Sequence, residues 1–282
     1  MGRVPDFIGL GAQKAGTSWI YACLYEHPQL CIPLKEIHFF SRQRNWSKGY
    51  GWYEGIFEQC SPDTKTGEFS TTYLFDPLIP ERIYQCYPHV KLIASLRNPV
   101  DRAYSNYLNT VKSGAVHRDI PFEEALKTHP EYNEQGRYAT QLRGYLQFFR
   151  RDRMLLLMYE DSLNHPLEFI QAIYRFLEVD VGFVPSMLHK KVNVSDVPRF
   201  VSLERCLIRI SEFLQRKGFR KIWWAAKKIG IANYVRKLNI HHPAGNNSKS
   251  EIPWRKLVYG QLEEEITSLE KILGRELQEW RL

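Results

Sequence analysis

No stretch of the 282 residues approaches the roughly 18 uninterrupted apolar positions that a membrane-spanning helix requires. The opening, Met1-Gly-Arg-Val-Pro-Asp, has no apolar core behind a basic segment, so neither a secretion signal nor a membrane anchor is expected. Cysteine is scarce, at five residues: Cys23, Cys31, Cys60, Cys86 and Cys206. An odd number without paired short spacing argues against a disulfide scaffold and a zinc site, and makes reduced thiols and a cytoplasmic location the expectation. Internal repeats and low-complexity segments are also lacking, which argues against solenoid and linker architectures.

What is present is ordinary in bulk. With 44% hydrophobic and 25% charged residues, the chain can form one large core, or a core with a smaller helical appendage. The formal net charge of +8 suits an anionic ligand, but would serve a nucleic acid or an anionic membrane equally well.

Continuous rather than alternating apolar runs supply the fold class. Residues 7–12, Val90-Lys-Leu-Ile-Ala-Ser-Leu and Met154-Leu-Leu-Leu-Met-Tyr read as buried strands. Each precedes a helical pattern: Trp19, Ile20, Cys23 and Leu24, ended before Pro28; about Pro99 to Lys112; and Phe169, Ile173, Phe176 and Leu177. Strands of this kind alternating with helices predict an α/β fold, a central parallel sheet flanked by helices on both faces. A last helix from about Trp254 to Leu273 is expected to bury Leu257, Leu262, Ile266 and Leu269. Between them, residues 200–250 read as basic amphipathic helix and a Gly/Asn/Pro-rich loop, a helical insertion within a single domain spanning 1–282.

Two strand ends carry the chemistry. Gly11-Ala-Gln-Lys-Ala-Gly-Thr-Ser-Trp joins the first strand to its helix. The helix start offers N–H groups and a positive dipole end, Gly16 permits close backbone approach, Lys14 brings charge, and Thr17 and Ser18 bring hydroxyls. In a Walker A loop the lysine follows the second glycine, whereas Lys14 precedes Gly16, so this is a different anion loop. Taken alone it is also the pattern of a solvated lysine beside a helix cap. The second segment, Ser95-Leu-Arg-Asn-Pro-Val-Asp-Arg-Ala-Tyr-Ser, begins where another strand ends. Ligands of parallel sheets gather outside the carboxyl ends of strands, and an arginine fork with a hydroxyl suits a phosphate monoester.

With both segments in view, the chain resembles the superfamily of sulfotransferases that use 3′-phosphoadenosine 5′-phosphosulfate (PAPS). The likeness is greatest to bacterial and heparan-sulfate-type members, those of carbohydrate or polyketide pathways. It covers residues 5–195 and the closing Leu273-Gly-Arg-Glu-Leu-Gln-Glu-Trp. The resemblance implies that Lys14, Ala15, Gly16, Thr17, Ser18 and Trp19 hold the 5′ end of PAPS, and that Arg97 and Ser105 hold its 3′-phosphate. It also implies transfer to a hydroxyl without a metal, leaving adenosine 3′,5′-bisphosphate (PAP).

Such a transfer needs a base for the hydroxyl proton and positive charge for the leaving phosphate. Lys35-Glu-Ile-His-Phe-Phe is similar to the segment of heparan-sulfate-type members in which the glutamate is the base. By that likeness Glu36 is the base, His38 a second acid–base or orienting group, and Lys14 the cation at the leaving oxygen. Thr66-Gly-Glu-Phe-Ser-Thr-Thr-Tyr-Leu resembles the family's Glu-Lys-Ser/Thr-x-x-Tyr segment, which implies Glu68, Ser70 and Tyr73 as acceptor-site residues. Phe69 replaces the lysine usual in glycan-directed members, which argues against a highly anionic polysaccharide.

The expected acceptor is a hydroxyl of a glycan, a small metabolite, or a β-hydroxyacyl chain presented on an acidic carrier protein. A nucleotide kinase is disfavoured by the missing Walker A spacing. A nucleic-acid binder using the basic helices at 205–237 is the reading from a different class, and no nucleic-acid partner is expected. His241 and His242 have no visible third ligand, so no metal is expected there. Trp223, Trp224, Arg216, Lys217, Lys227 and Lys228 in the insertion suit either a lid over the acceptor or plain helical packing.

Overall fold

A computed structural model describes residues 2–190, the dipeptides 197–198 and 240–241, and residues 253–281. The expected helical insertion at 200–250, with its lid residues, therefore lies outside the described residues apart from 240–241. In chain order the elements are β1 (Phe7–Gly11), α1 (Thr17–Tyr25), β2 (Leu30–Cys31), α2 (Gln43–Trp46), α3 (Tyr50–Gly55), β3 (Lys65–Phe69), α4 (Ile79–Cys86) and β4 (Lys91–Leu96). There follow α5 (Pro99–Ser113), α6 (Phe122–Thr128), α7 (Glu131–Glu134), α8 (Tyr138–Leu146), β5 (Met154–Met158), α9 (Tyr159–Asn164) and α10 (Pro166–Leu177). β6 (Val197–Pro198), β7 (Ile240–His241) and α11 (Pro253–Leu273) complete the order.

The chain divides into two compact units. The first comprises Met1–Ala103, Asn133–Asn193 and Lys256–Leu282. It holds a five-stranded sheet in the order β2-β3-β1-β4-β5, with every pairing parallel. This is the predicted α/β architecture, and its physical reason is visible in β1, whose residues are all buried. Phe7 faces a cluster with Ile20, Cys23 and Leu24 of α1 and Phe169, Ile173 and Leu177 of α10. Ile8 and Leu10 face the opposite side, with Tyr53, Ile83, Leu142, Ile266 and Trp280. Each such side chain removed from water contributes about 1.5–3 kcal/mol, so both faces demand a helical cover.

β3 was not apparent as an apolar run, since Lys65-Thr-Gly-Glu-Phe is mostly polar. Its place beside β1 rests on reciprocal packing. In register, Phe7 lies opposite Gly67 and Gly9 opposite Phe69. A Cβ on Gly9 would sit 2.0 Å from the Phe69 ring, and one on Gly67 would sit 2.6 Å from the Phe7 ring. Phe69 is thus a core residue, which gives a packing reason for its departure from lysine. In α11 the buried face is Val258, Leu262, Ile266 and Leu269, while Leu257, expected inside, is exposed. The spacing of four from 258 to 262 continues the stripe that 257 would leave.

The expectation of reduced thiols is corrected for one pair. Cys31 and Cys60 form a disulfide, with Cα atoms 5.8 Å apart. The end of β2 and the turn after α3 meet only in the folded chain, and a separation of 29 residues gave no sign of it. Cys23 and Cys86 are free thiols. Among the described residues, no helix is long and apolar enough to cross a membrane.

The second unit comprises Tyr104–Tyr132 and Val194–Arg255. Within it, Trp254 stacks on Tyr104 at 4.8 Å and meets Phe122 edge-on at 4.9 Å. β6 and β7 pair antiparallel there.

Candidate active site

The anion loop leaves the carboxyl end of β1, the middle strand of the sheet. Ala12 N–H donates to Ser95 O at 2.7 Å, and Ser95 Oγ–H donates to Ala15 O at 2.8 Å, so β4 holds the loop down. Gly16 caps α1 in the left-handed region at φ 77°. A Cβ there would approach the Tyr159 ring to 2.8 Å, so both backbone shape and space favour glycine. Lys14 also has positive φ, at 71°. α1 opens at Thr17, which directs its first-turn N–H groups out along the axis. The Trp19 indole N–H lies 3.2 Å from the carbonyl oxygens of both Met187 and Leu188, and its ring packs on Phe169.

Arg97 emerges at the end of β4. Its Nη1 donates to Lys14 O at 3.0 Å and its guanidinium lies over the Tyr159 ring at 4.9 Å. The next residue starts α5: Asn98 Oδ1 accepts from Val100 N–H at 3.0 Å and Asp101 N–H at 3.3 Å, and Pro99 takes the first helical position. That is the reason Asn-Pro follows the arginine. Ser105 is buried on α5, in the second unit.

The Lys35–His38 segment lies beside the loop. Lys35 Nζ donates to Ser18 Oγ at 2.6 Å and lies 3.4 Å from Glu36 Oε1. His38 Nε2 bonds Glu36 Oε2 at 3.1 Å, and His38 Nδ1 bonds Thr72 Oγ1 at 3.0 Å. An ionised carboxylate only accepts, so Nε2 is the donor in the bond to Glu36. The hydrogen bond from His38 holds the Glu36 carboxyl below the ordinary carboxylate range, with burial opposing it and the Lys35 charge assisting. Glu36 is therefore ionised at neutral pH and partly open to solvent, as a base must be.

Glu68, Ser70 and Tyr73 are all fully buried and bond one another. Ser70 Oγ–H donates to Glu68 Oε2 at 2.6 Å; Tyr53 and Tyr73 hydroxyls donate to Glu68 Oε1 at 2.9 and 2.8 Å. Lys35 is the residue that sequence reasoning passed over. Its adjacency to Glu36 was visible, but its reach to Ser18 required the fold.

An anion loop and an arginine at neighbouring strand ends, in a parallel sheet covered on both faces, define a nucleotide-handling α/β protein. The chain belongs to the sulfotransferase domain family, whose model matches residues 4–195. It is 27% identical over 187 residues to the heparan sulfate glucosamine 3-O-sulfotransferase 5 of Mus musculus, covering 63% of this chain and 54% of that one. It is 29% identical over 199 residues to the bifunctional heparan sulfate N-deacetylase/N-sulfotransferase 1 of Xenopus laevis, covering 63% and 22%. The chain thus spans about half the length of the first relative and a fifth of the second. Its fold is similar to that of a sulfotransferase from Alicyclobacillus acidocaldarius, with a TM-score of 0.70 over 99% of both chains at 24% identity. It is also similar to the sulfotransferase domain of the curacin biosynthetic pathway, with a TM-score of 0.52 over 68% of this chain and 80% of that one, at 17% identity.

Proposed function

We propose that the chain is a PAPS-dependent O-sulfotransferase with Glu36 as general base. The observation that carries the reading is Lys35, which bridges Ser18 of the anion loop and Glu36. Donor-binding and proton-accepting groups thereby stand within one side chain's span of each other. Lys14, Ala15, Gly16, Thr17 and Ser18 hold the 5′-phosphosulfate; Arg97 and, by the motif, Ser105 hold the 3′-phosphate. Trp19 is counted with the 5′-end residues by the motif, and its indole N–H anchors this end of α1 on the 187–188 backbone.

In the reaction the acceptor O–H gives its proton to a Glu36 oxygen as the oxygen–sulfur bond forms. The bond between sulfur and the bridging phosphate oxygen breaks, and Lys14 and Lys35 offset the charge left on that phosphate. The products are a sulfate ester and PAP. His38 fixes the Glu36 carboxylate and keeps it ionised. No step calls for a metal.

Among acceptors a glycan less anionic than a sulfated polysaccharide is one class: both relatives are named for heparan sulfate, the first as a 3-O-sulfotransferase, which acts on a hydroxyl, and the second as an N-sulfotransferase. A small hydroxylated metabolite or a carrier-bound β-hydroxyacyl chain are the other classes to screen. Radiolabelled PAPS is offered to a panel of all three, with PAP formation followed in parallel. The reading expects label in a sulfate ester matched by PAP. Stabilisation by ATP with magnesium but not by PAP, with no transfer, would favour a phosphotransferase instead.

A further inference from the structure

We infer that Ser70 is a positioning residue for the acid–base pair: its hydroxyl, oriented by buried Glu68, holds the His38 backbone so that the imidazole meets Glu36. This rests on the reading of Glu36 as base.

The starting point is backbone conformation. Glu36 and His38 both lie in the left-handed region, at φ 60° and 51°, on either side of buried Ile37. Side-chain-bearing residues adopt that region at a cost of about 1–2 kcal/mol each, so neighbouring contacts must hold them there. Two bonds from the end of β3 do so. Glu36 N–H donates to Phe69 O at 2.8 Å, and His38 N–H donates to Ser70 Oγ at 2.8 Å. The first is backbone to backbone and indifferent to sequence. The second depends on one hydroxyl.

The polarity of that hydroxyl is set from behind. A serine has a single proton to donate, and Ser70 gives it to Glu68 Oε2. What it turns toward His38 is therefore a lone pair. Glu68 itself takes three donors, from Ser70, Tyr53 and Tyr73, and has no solvent-exposed surface. Burial pushes its carboxyl pKa up while those three bonds oppose the rise, so the hydroxyls are what keep an acceptor in place.

The same segment fixes the other end of the histidine. Thr72 Oγ1 bonds His38 Nδ1, and Ser41 Oγ bonds Thr72 Oγ1 at 2.9 Å. With backbone and Nδ1 both held, Nε2 has one direction left, toward Glu36. Ser70 and Glu68 have no exposed surface through which to touch an acceptor, so their effect on the reaction passes through His38.

The test is Ser70→Ala, with Ser70→Thr as the conservative rescue. Ser70→Ala is expected to lower kcat about tenfold or more while the KM for PAPS changes less than about twofold. The groups acting on Glu36 are His38 and Lys35; losing the His38 bond raises the Glu36 pKa, so the acid limb of kcat/KM moves to higher pH. Ser70→Thr should restore most of both. Parental kcat in Ser70→Ala, an unmoved acid limb, or loss of PAP-induced thermal stabilisation along with turnover overturns the proposal. If Ser70→Ala does not fold, Glu68→Gln keeps the volume and turns an N–H as well as an oxygen toward the three hydroxyls. It should show the same split of kcat from KM, and a parental profile there overturns the proposal equally. Glu36→Gln separates the two readings. Parental turnover in that variant removes the base assignment itself, whereas an inactive Glu36→Gln beside a parental Ser70→Ala removes only the positioning role.

Discussion

The Arg97 guanidinium donates to the backbone carbonyl oxygen of Lys14, 83 positions away in sequence. The residue expected at the 3′ end of the donor thereby braces the loop expected at its 5′ end, with the Tyr159 ring against both Arg97 and Gly16. The planar fork keeps further N–H groups for a phosphate once one is engaged. PAP should accordingly stabilise the fold by about 2.7 kcal/mol at a hundredfold excess over its dissociation constant, and AMP at the same concentration by less. Arg97→Ala should erase the preference, read as equal melting shifts with the two nucleotides. A parent protein that responds equally to both would remove Arg97 from this role.

Gly16→Ala tests the loop itself. The new methyl would meet the Tyr159 ring, and the left-handed backbone would disfavour alanine by about 1 kcal/mol or more. A melting point lowered by about 2–4 °C, with a smaller PAP-induced shift, is the expected outcome in differential scanning fluorimetry. Unchanged PAP stabilisation would mean that the loop does not contact the nucleotide.

The Cys31–Cys60 disulfide joins residues 29 positions apart and closes a loop that contains the Lys35–His38 segment. Chain-entropy arguments put its contribution at about 3–4 kcal/mol. Reduction, or Cys31→Ser, should lower the melting point. Alkylation before and after reduction, read by mass spectrometry, should find two thiols protected in the untreated protein. Equal labelling in both samples would show the bond to be absent.

Three strands were legible in the sequence as continuous apolar runs: β1 and β4 are buried on both faces, and β5, at the sheet edge, is buried at its ends and half-buried between them. β3 was not, since burial there is shared between a threonine, a glycine, an aromatic and a carboxylate satisfied by tyrosines from elsewhere in the chain. The two donor motifs stood out because loop chemistry is local. Contacts of long sequence separation did not: Lys35 with Ser18, Arg97 with Lys14, and Cys31 with Cys60 each depend on which strand ends become neighbours. The buried state of Glu68, Ser70 and Tyr73 had the same origin. Nothing in Thr66-Gly-Glu-Phe-Ser distinguishes a carboxylate that faces a cleft from one that Tyr53 covers.

His38→Ala should change the pH dependence as well as the rate. A general base works when deprotonated, so kcat/KM falls as pH drops through the Glu36 pKa, which the His38 bond holds below the ordinary range. Removing the imidazole raises that pKa, and the acid limb of kcat/KM should move to higher pH. An acid limb that stays in place in His38→Ala would mean that His38 does not tune Glu36.

The base assignment is tested most directly by single-turnover transfer from radiolabelled PAPS to the best acceptor of the screen, comparing the parent with Glu36→Gln. The amide keeps the shape of the side chain and cannot take the proton. The account predicts a rate lower by ~10²-fold or more, with PAP-induced stabilisation unchanged. A parental rate in Glu36→Gln, with chemistry limiting, would contradict it.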